Sequence, residues 1–112
     1  MKNIEVDKAT GFIIVEIIEY VPHSIVTKTI IKKTTGTVSA VSCDGGEALI
    51  EKIIPFDNFI QIIEGNAEIE IDGISNILNT GQSIIIPAHT SNLIKANERF
   101  KMLSTIIKSG YE

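Results

Sequence analysis

The chain has 112 residues, of which 44% are hydrophobic and only 5% aromatic, with a formal net charge of −4. That length makes one domain with a real core. The acidic balance, with scattered lysines and Arg99 as the only arginine, excludes a basic nucleic-acid-binding stripe, and no apolar run approaches the length of a membrane span.

The wealth of Ile and Val leans towards β-structure, because β-branched side chains suit a pleated, half-buried surface. The first residues, Met-Lys-Asn-Ile-Glu-Val-Asp, lack the apolar core and cleavage signal of a secretory peptide. Cys43 stands alone and cannot form an internal disulfide. These features predict a cytoplasmic protein with neither a nucleic-acid nor a membrane partner.

In chain order, residues 1–10 are polar and predicted to lie on the surface. Residues 11–20, Gly-Phe-Ile-Ile-Val-Glu-Ile-Ile-Glu-Tyr, are apolar enough to be buried, as a strand or a short helix, and Pro22 ends them. Residues 24–33 alternate as a strand, with Ile25, Thr27, Thr29 and Ile31 on one face. A turn at Thr34-Thr-Gly36 leads to a second strand over 37–43. Asp44-Gly45-Gly46 turns into a third over 47–52, bounded by Pro55.

Residues 58–63 then form a strand, Glu64-Gly65-Asn66 a hairpin loop, and the strict alternation of Ala67, Ile69 and Ile71 with Glu68, Glu70 and Asp72 another strand. Asp72-Gly73 turns it. A short strand follows over 75–78, Asn79-Thr-Gly81 turns again, and Ser83 to Ile86 reads as a fully buried strand stopped by Pro87. Strands at 92–95 and 100–107 complete the set, and 108–112 is a polar tail. Short strands with turn signals at this spacing predict a sandwich or barrel.

Two spaced motifs sharpen that reading. Gly46 and Gly65 bracket Lys52, Ile54 and Asn58. Gly81 and Pro87 precede His89, Asn92 and Ala96. This framework resembles the two motifs of the cupin family over roughly residues 27–107. In that family the first motif is Gly, five residues, His-x-His, three or four residues, Glu, six residues, Gly. The second is Gly, five residues, Pro-x-Gly, two residues, His, three residues, Asn. The resemblance implies an all-β double-stranded β-helix, the cupin jelly-roll barrel. It has a core of about 24–108 within a single domain of 1–112, and the 11–20 segment leads into it as a short helix or extended stretch.

In metal-binding cupins the motif residues hold a divalent ion. Transferred residue by residue, the ligand slots here carry Lys52, Ile54, Asn58 and Asn92, with His89 in a glycine slot and Ala96 in the asparagine slot. Isoleucine cannot ligate, an ammonium repels a metal, and amides are weak donors, so neither metal nor cofactor is expected. His89 and His23 read as turn or loop histidines, and Cys43 as a small buried hydrophobe.

The expected ligand pocket is Lys52, Ile54, Asn58, Ile60 and Asn92. With Lys52 pointing inward, its charge suits a small anionic or carbonyl-bearing ligand. With Lys52 turned out to the barrel mouth, isoleucines fill the space instead.

The expected function is therefore a metal-free, small-molecule-binding or accessory cupin. A metal-dependent dioxygenase or isomerase using non-standard ligands is the alternative. A metal-free epimerase needs a histidine base that these slots lack. Phe59, Gln61 and Ile63 are expected to face outward and need a cover, either from residues 12–18 or from a second copy in a homodimer.

Overall fold

The computed structural model describes residues 5–51 and 53–111, the side chain of Glu51 excepted. Among them are eight strands: β1 (Ile25–Lys33), β2 (Gly36–Cys43), β3 (Ala48–Glu51), β4 (Asp57–Ile71), β5 (Ile74–Asn79), β6 (Ser83–Ile86), β7 (Asn92–Lys95) and β8 (Phe100–Ile107). All pairings are antiparallel. One face of the barrel runs β1-β2-β8-β4-β6 and the other β3-β7-β4-β5, with β4 common to both. This is the all-β double-stranded jelly roll that the sequence predicts.

The core follows from alternation. Ile60 and Ile62 from the first half of β4, Ile69 from its second half, Ile94 from β7, and Phe100 and Met102 from β8 are all at most 1% exposed. Each aliphatic side chain buried this completely contributes about 1.5–3 kcal/mol relative to exposure. Alternate residues on the same strands turn outward. Glu68 and Glu70 lie there on β4, and Lys95 Nζ on β7 meets Glu70 Oε2 at 2.6 Å.

Four sequence expectations change. The Glu64-Gly65-Asn66 segment is not a hairpin loop: β4 passes through it as one 15-residue strand. A bulge between Ile62 and Glu64 and a left-handed Gly65 (φ 85°) bend the strand so that each half pairs in a different sheet. A Cβ at Gly65 would sit 2.5 Å from the Arg99 carbonyl oxygen, so the bend presses backbone against backbone. The sequence showed the glycine but not the close strand that makes glycine necessary.

Second, β6 is not fully buried. Ile86 is 3% exposed and Ile85 60%, because β6 is an edge strand with one face outward. Third, the 11–20 segment is mostly uncovered. It makes one 3-10 turn (Ile14–Glu16), buries Ile18 at 4%, and leaves Phe12 and Ile13 at 47% and 60%. A further bulge, between Thr29 and Ile31, moves Ile31 to the opposite face from Thr29, opposite outward-facing Val38.

The turns match their sequence signals. Asp72 (φ 50°) and Gly73 (φ 81°) supply the paired positive dihedrals of a two-residue hairpin between β4 and β5. At the far end, Tyr111 Oη donates to the Ile107 carbonyl and accepts the Asp57 N–H, each at 2.7 Å, and packs against Phe56. This ties the chain end beside the start of β4.

Candidate functional site

Two of the motif slots, Asn58 and Asn92, fall on the inside of the barrel. Asn58 opens the inner face of β4. It is 4% exposed, and its Oδ1 accepts a hydrogen bond from Ser104 Oγ on β8 at 2.8 Å. Ile60, two residues on, is fully buried. Asn92 is on the inner face of β7, the same side as Ile94, and its Oδ1 is buried with no hydrogen-bond partner among the described residues. Ile54 is half-buried after β3, where its carbonyl accepts the His89 N–H at 2.7 Å. Lys52 lies outside the described residues.

Four further polar residues line the interior that the sequence reading did not single out. Ser104 pairs across the ladder with Ser39, and Ser39 with Thr29, so one inward row reads Ile60, Ser104, Ser39, Thr29. In the next row Thr37 stands opposite Ile106, which stands opposite Asn58, and the Thr37 Oγ1 is also buried with no partner among the described residues. The parity of Thr37, Ser39 and Val41 along one strand was the available signal. Small hydroxyl residues in a β-strand are ordinary, and only the register shows that they adjoin Asn58.

The interior therefore has two zones. The end nearest Phe100 is a dry cluster of Phe100, Met102, Ile62, Val41 and Cys43. The other end carries Asn58, Ser104, Ser39, Thr37, Thr29 and Asn92. On the outer side of the same strands, a cleft of about 240 Å³ lies between Glu70, Asp72, Gly73, Ser91, Asn92 and Leu93.

His89 confirms its turn role. It is exposed, with φ 63° in the motif slot where the family pattern has glycine. Ala96 is 2% exposed, and its backbone bonds Gly46 and Glu47.

This donor set does not fit a transition metal. Ile54 has no donor atom, the Asn58 oxygen is engaged by Ser104, and Asn92 offers one neutral amide oxygen. Among the described residues, no three His, Cys, Asp or Glu side chains group closely enough to hold an ion.

Comparison with solved structures places this architecture. A cupin 2 conserved barrel domain protein from Leptotrichia buccalis superposes with a TM-score of 0.81 at 29% identity, over 84% of this chain and 46% of that one. The chain has the cupin fold. A cupin superfamily protein from Desulfitobacterium hafniense matches over 96% of this chain and 97% of its own, at TM-score 0.84 and 21% identity. The conserved SPY1581 protein of unknown function from Streptococcus pyogenes matches over 98% and 97%, at TM-score 0.88 and 24% identity. No family model matches the sequence, and no curated protein does. The cupin barrel is thus shown by shape, and its site is described by its own residues. Among the described residues, no helix is long and apolar enough to cross a membrane.

Proposed function

We propose that this cupin is a small-molecule-binding or accessory protein that works without a metal, with its ligand site at the polar end of the barrel around Asn58 and Asn92. The observation that carries this reading is the pair of buried oxygens, Asn92 Oδ1 and Thr37 Oγ1, that have no hydrogen-bond partner among the described residues, in a barrel whose other end is an apolar cluster. Buried polar atoms are nearly always hydrogen-bonded, and an orphan costs about 1–3 kcal/mol. Leaving two of them on the inner face of one barrel is the arrangement expected of a site that a ligand completes.

The ligand is a small molecule with a hydroxyl or amine to donate to Asn92. Lys52, at the first ligand slot, would add preference for an anionic or carbonyl group. The protein is read as a cytoplasmic homodimer, with no nucleic-acid or membrane partner.

Thermal-shift screening against small keto acids, hydroxy acids and sugars tests the site. Hits should raise the melting temperature of the wild type and lose that effect in Asn92→Leu. Thr37→Val is the companion variant. Replacing an unpartnered hydroxyl with a methyl should leave stability unchanged or raise it by up to about 1 kcal/mol while weakening the same hits. Hits that bind Asn92→Leu and Thr37→Val as tightly as wild type would remove the site from the barrel interior.

A further inference from the structure

We propose that a second site lies outside the barrel, where residues 19–22 meet the start of β8, and that it binds the carboxylate group of a small monoanion. The cleft there measures about 410 Å³ and is lined by Glu19, Tyr20, Pro22, Arg99 and Lys101. It lies on the opposite side of the sheet from Asn58 and does not depend on the interior site.

Its construction begins at the β4 bulge. The shift between Ile62 and Glu64 sets Glu64 opposite Lys101 on the outward face, and there Glu64 Oε2 accepts the Tyr20 hydroxyl at 2.5 Å. That bond fixes the Tyr20 ring, and two cations take up places against it. The Arg99 guanidinium carbon is 4.4 Å from the ring centroid and Lys101 Nζ is 4.9 Å from it.

Both cations keep donor capacity. A guanidinium stacked on an aromatic ring is held in orientation while its N–H edge stays available for a two-pronged contact. The carboxylate that approaches Arg99, Asp44 Oδ1, stands at 3.9 Å, too far for a hydrogen bond, and the other Asp44 oxygen accepts the His23 N–H at 2.8 Å. Lys101 is 8% exposed, donates to the Val15 carbonyl at 2.5 Å, and stands 3.8 Å from Glu64. An ammonium has three hydrogens, and among the described residues one of them makes a hydrogen bond, with Glu64 and the Tyr20 ring standing further off.

The chemistry selects the ligand. Arg99 and Lys101 bring two positive charges, whereas Glu19, Glu64 and Asp44 stand in or beside the cleft with three negative ones. A dianion such as phosphate meets about twice the repulsion from those carboxylates that a singly charged carboxylate meets, and the planar guanidinium matches a carboxylate with two parallel hydrogen bonds.

Amide 1H–15N spectra of the full chain, titrated with sodium acetate and in parallel with sodium chloride and inorganic phosphate at matched ionic strength, test this. Acetate should move the Tyr20, Arg99 and Lys101 resonances along a saturating curve. Arg99→Gln should weaken the affinity tenfold or more, with Arg99→Lys in between. Asn92→Leu should leave the curve unchanged, which separates this site from the interior one. Equal shifts with chloride, or an Arg99→Gln protein that binds acetate as wild type does, overturns the site. Tighter binding of phosphate than of acetate overturns the monoanion assignment.

Discussion

Cys43 shows how a single residue's environment fixes its chemistry. It is 1% exposed at the end of β2, in the apolar cluster with Val41, Phe100 and Met102. Burial, with smaller contributions from the Glu47 and Asp44 charges, pushes its thiol from the ordinary 9.0 up to about 11. The folded state therefore holds the thiol proton over a range in which the unfolded chain has already released it.

The consequence for stability has a definite sign. Below pH 9 both states keep the proton and the effect is absent. Between about 9 and 11 the unfolded state binds fewer protons than the folded one, so stability falls as pH rises. Urea midpoints measured at pH 8 and pH 10.5 should drop more for the wild type than for Cys43→Ala. A gap between the two proteins that stays constant across that range would show that Cys43 titrates alike in both states. The sequence already suggested a small buried hydrophobe here. It showed Asp44 next in the chain but not Glu47, which the turn at residues 44–47 brings close.

At the scale of elements, β4 carries the fold. Its first half contributes Asn58 and Ile60 to the interior and its second half Ile69 and Ile71. The bend between them turns one strand from sheet to sheet and delivers Glu64 to the outer cleft. Gly65 is the hinge of that geometry, and Gly46 provides a natural control.

Both glycines have positive φ, 85° and 89°, but a Cβ at Gly46 would meet nothing within 4 Å, whereas one at Gly65 would press on the Arg99 carbonyl at 2.5 Å. Gly46→Ala should cost only the left-handed backbone penalty, about 1–2 kcal/mol. Gly65→Ala adds a backbone clash that rigid neighbouring strands cannot relieve, and should cost about 3 kcal/mol or more. Denaturant unfolding of the two variants decides the matter, and equal losses would mean that β4 can shift away from β8 at little cost.

Element boundaries show what was legible and what was not. The strands at 83–86, 92–95 and 100–107 were readable to the residue, because turn residues punctuate them and apolar residues fill them. The run through Glu64-Gly65-Asn66 looked like a loop because Gly and Asn are turn residues. Only pairing with β8 on one side of the bend and with β5 and β7 on the other reveals a strand. In the same way Asn58 and Asn92 were legible from motif spacing, whereas Thr29, Thr37, Ser39 and Ser104 join the site through cross-strand register, which no local pattern encodes.

At the scale of the whole molecule, the outer face of the first sheet divides in two. Where residues 14–20 cross it, Ala40, Ser42 and Lys101 are buried, and Ser42 Oγ donates to the Glu19 carbonyl at 2.8 Å. Beyond that strap the face continues as Val38, Thr105, Phe59 and Ile85 side by side across β2, β8, β4 and β6, with Ile107 in the next row. Phe59 is 37% exposed, Ile107 53% and Ile85 60%.

This stripe is mostly apolar and built on paired strands, so a second copy can meet it without reordering loops. Strands about 4.8 Å apart give the four strands of the stripe a width of about 19 Å, so it supplies the apolar centre of an interface rather than the whole of a standard one of roughly 800 Å² per partner. We propose that a homodimer forms through this face. Replacing Phe59 or Ile85 by Glu would bury a charge at the centre of such an interface and should convert the protein to monomer. Sedimentation at micromolar concentration reads this directly. Wild-type protein sedimenting as a monomer, or a Phe59→Glu protein that stays dimeric, would show that the stripe is ordinary solvent-exposed sheet.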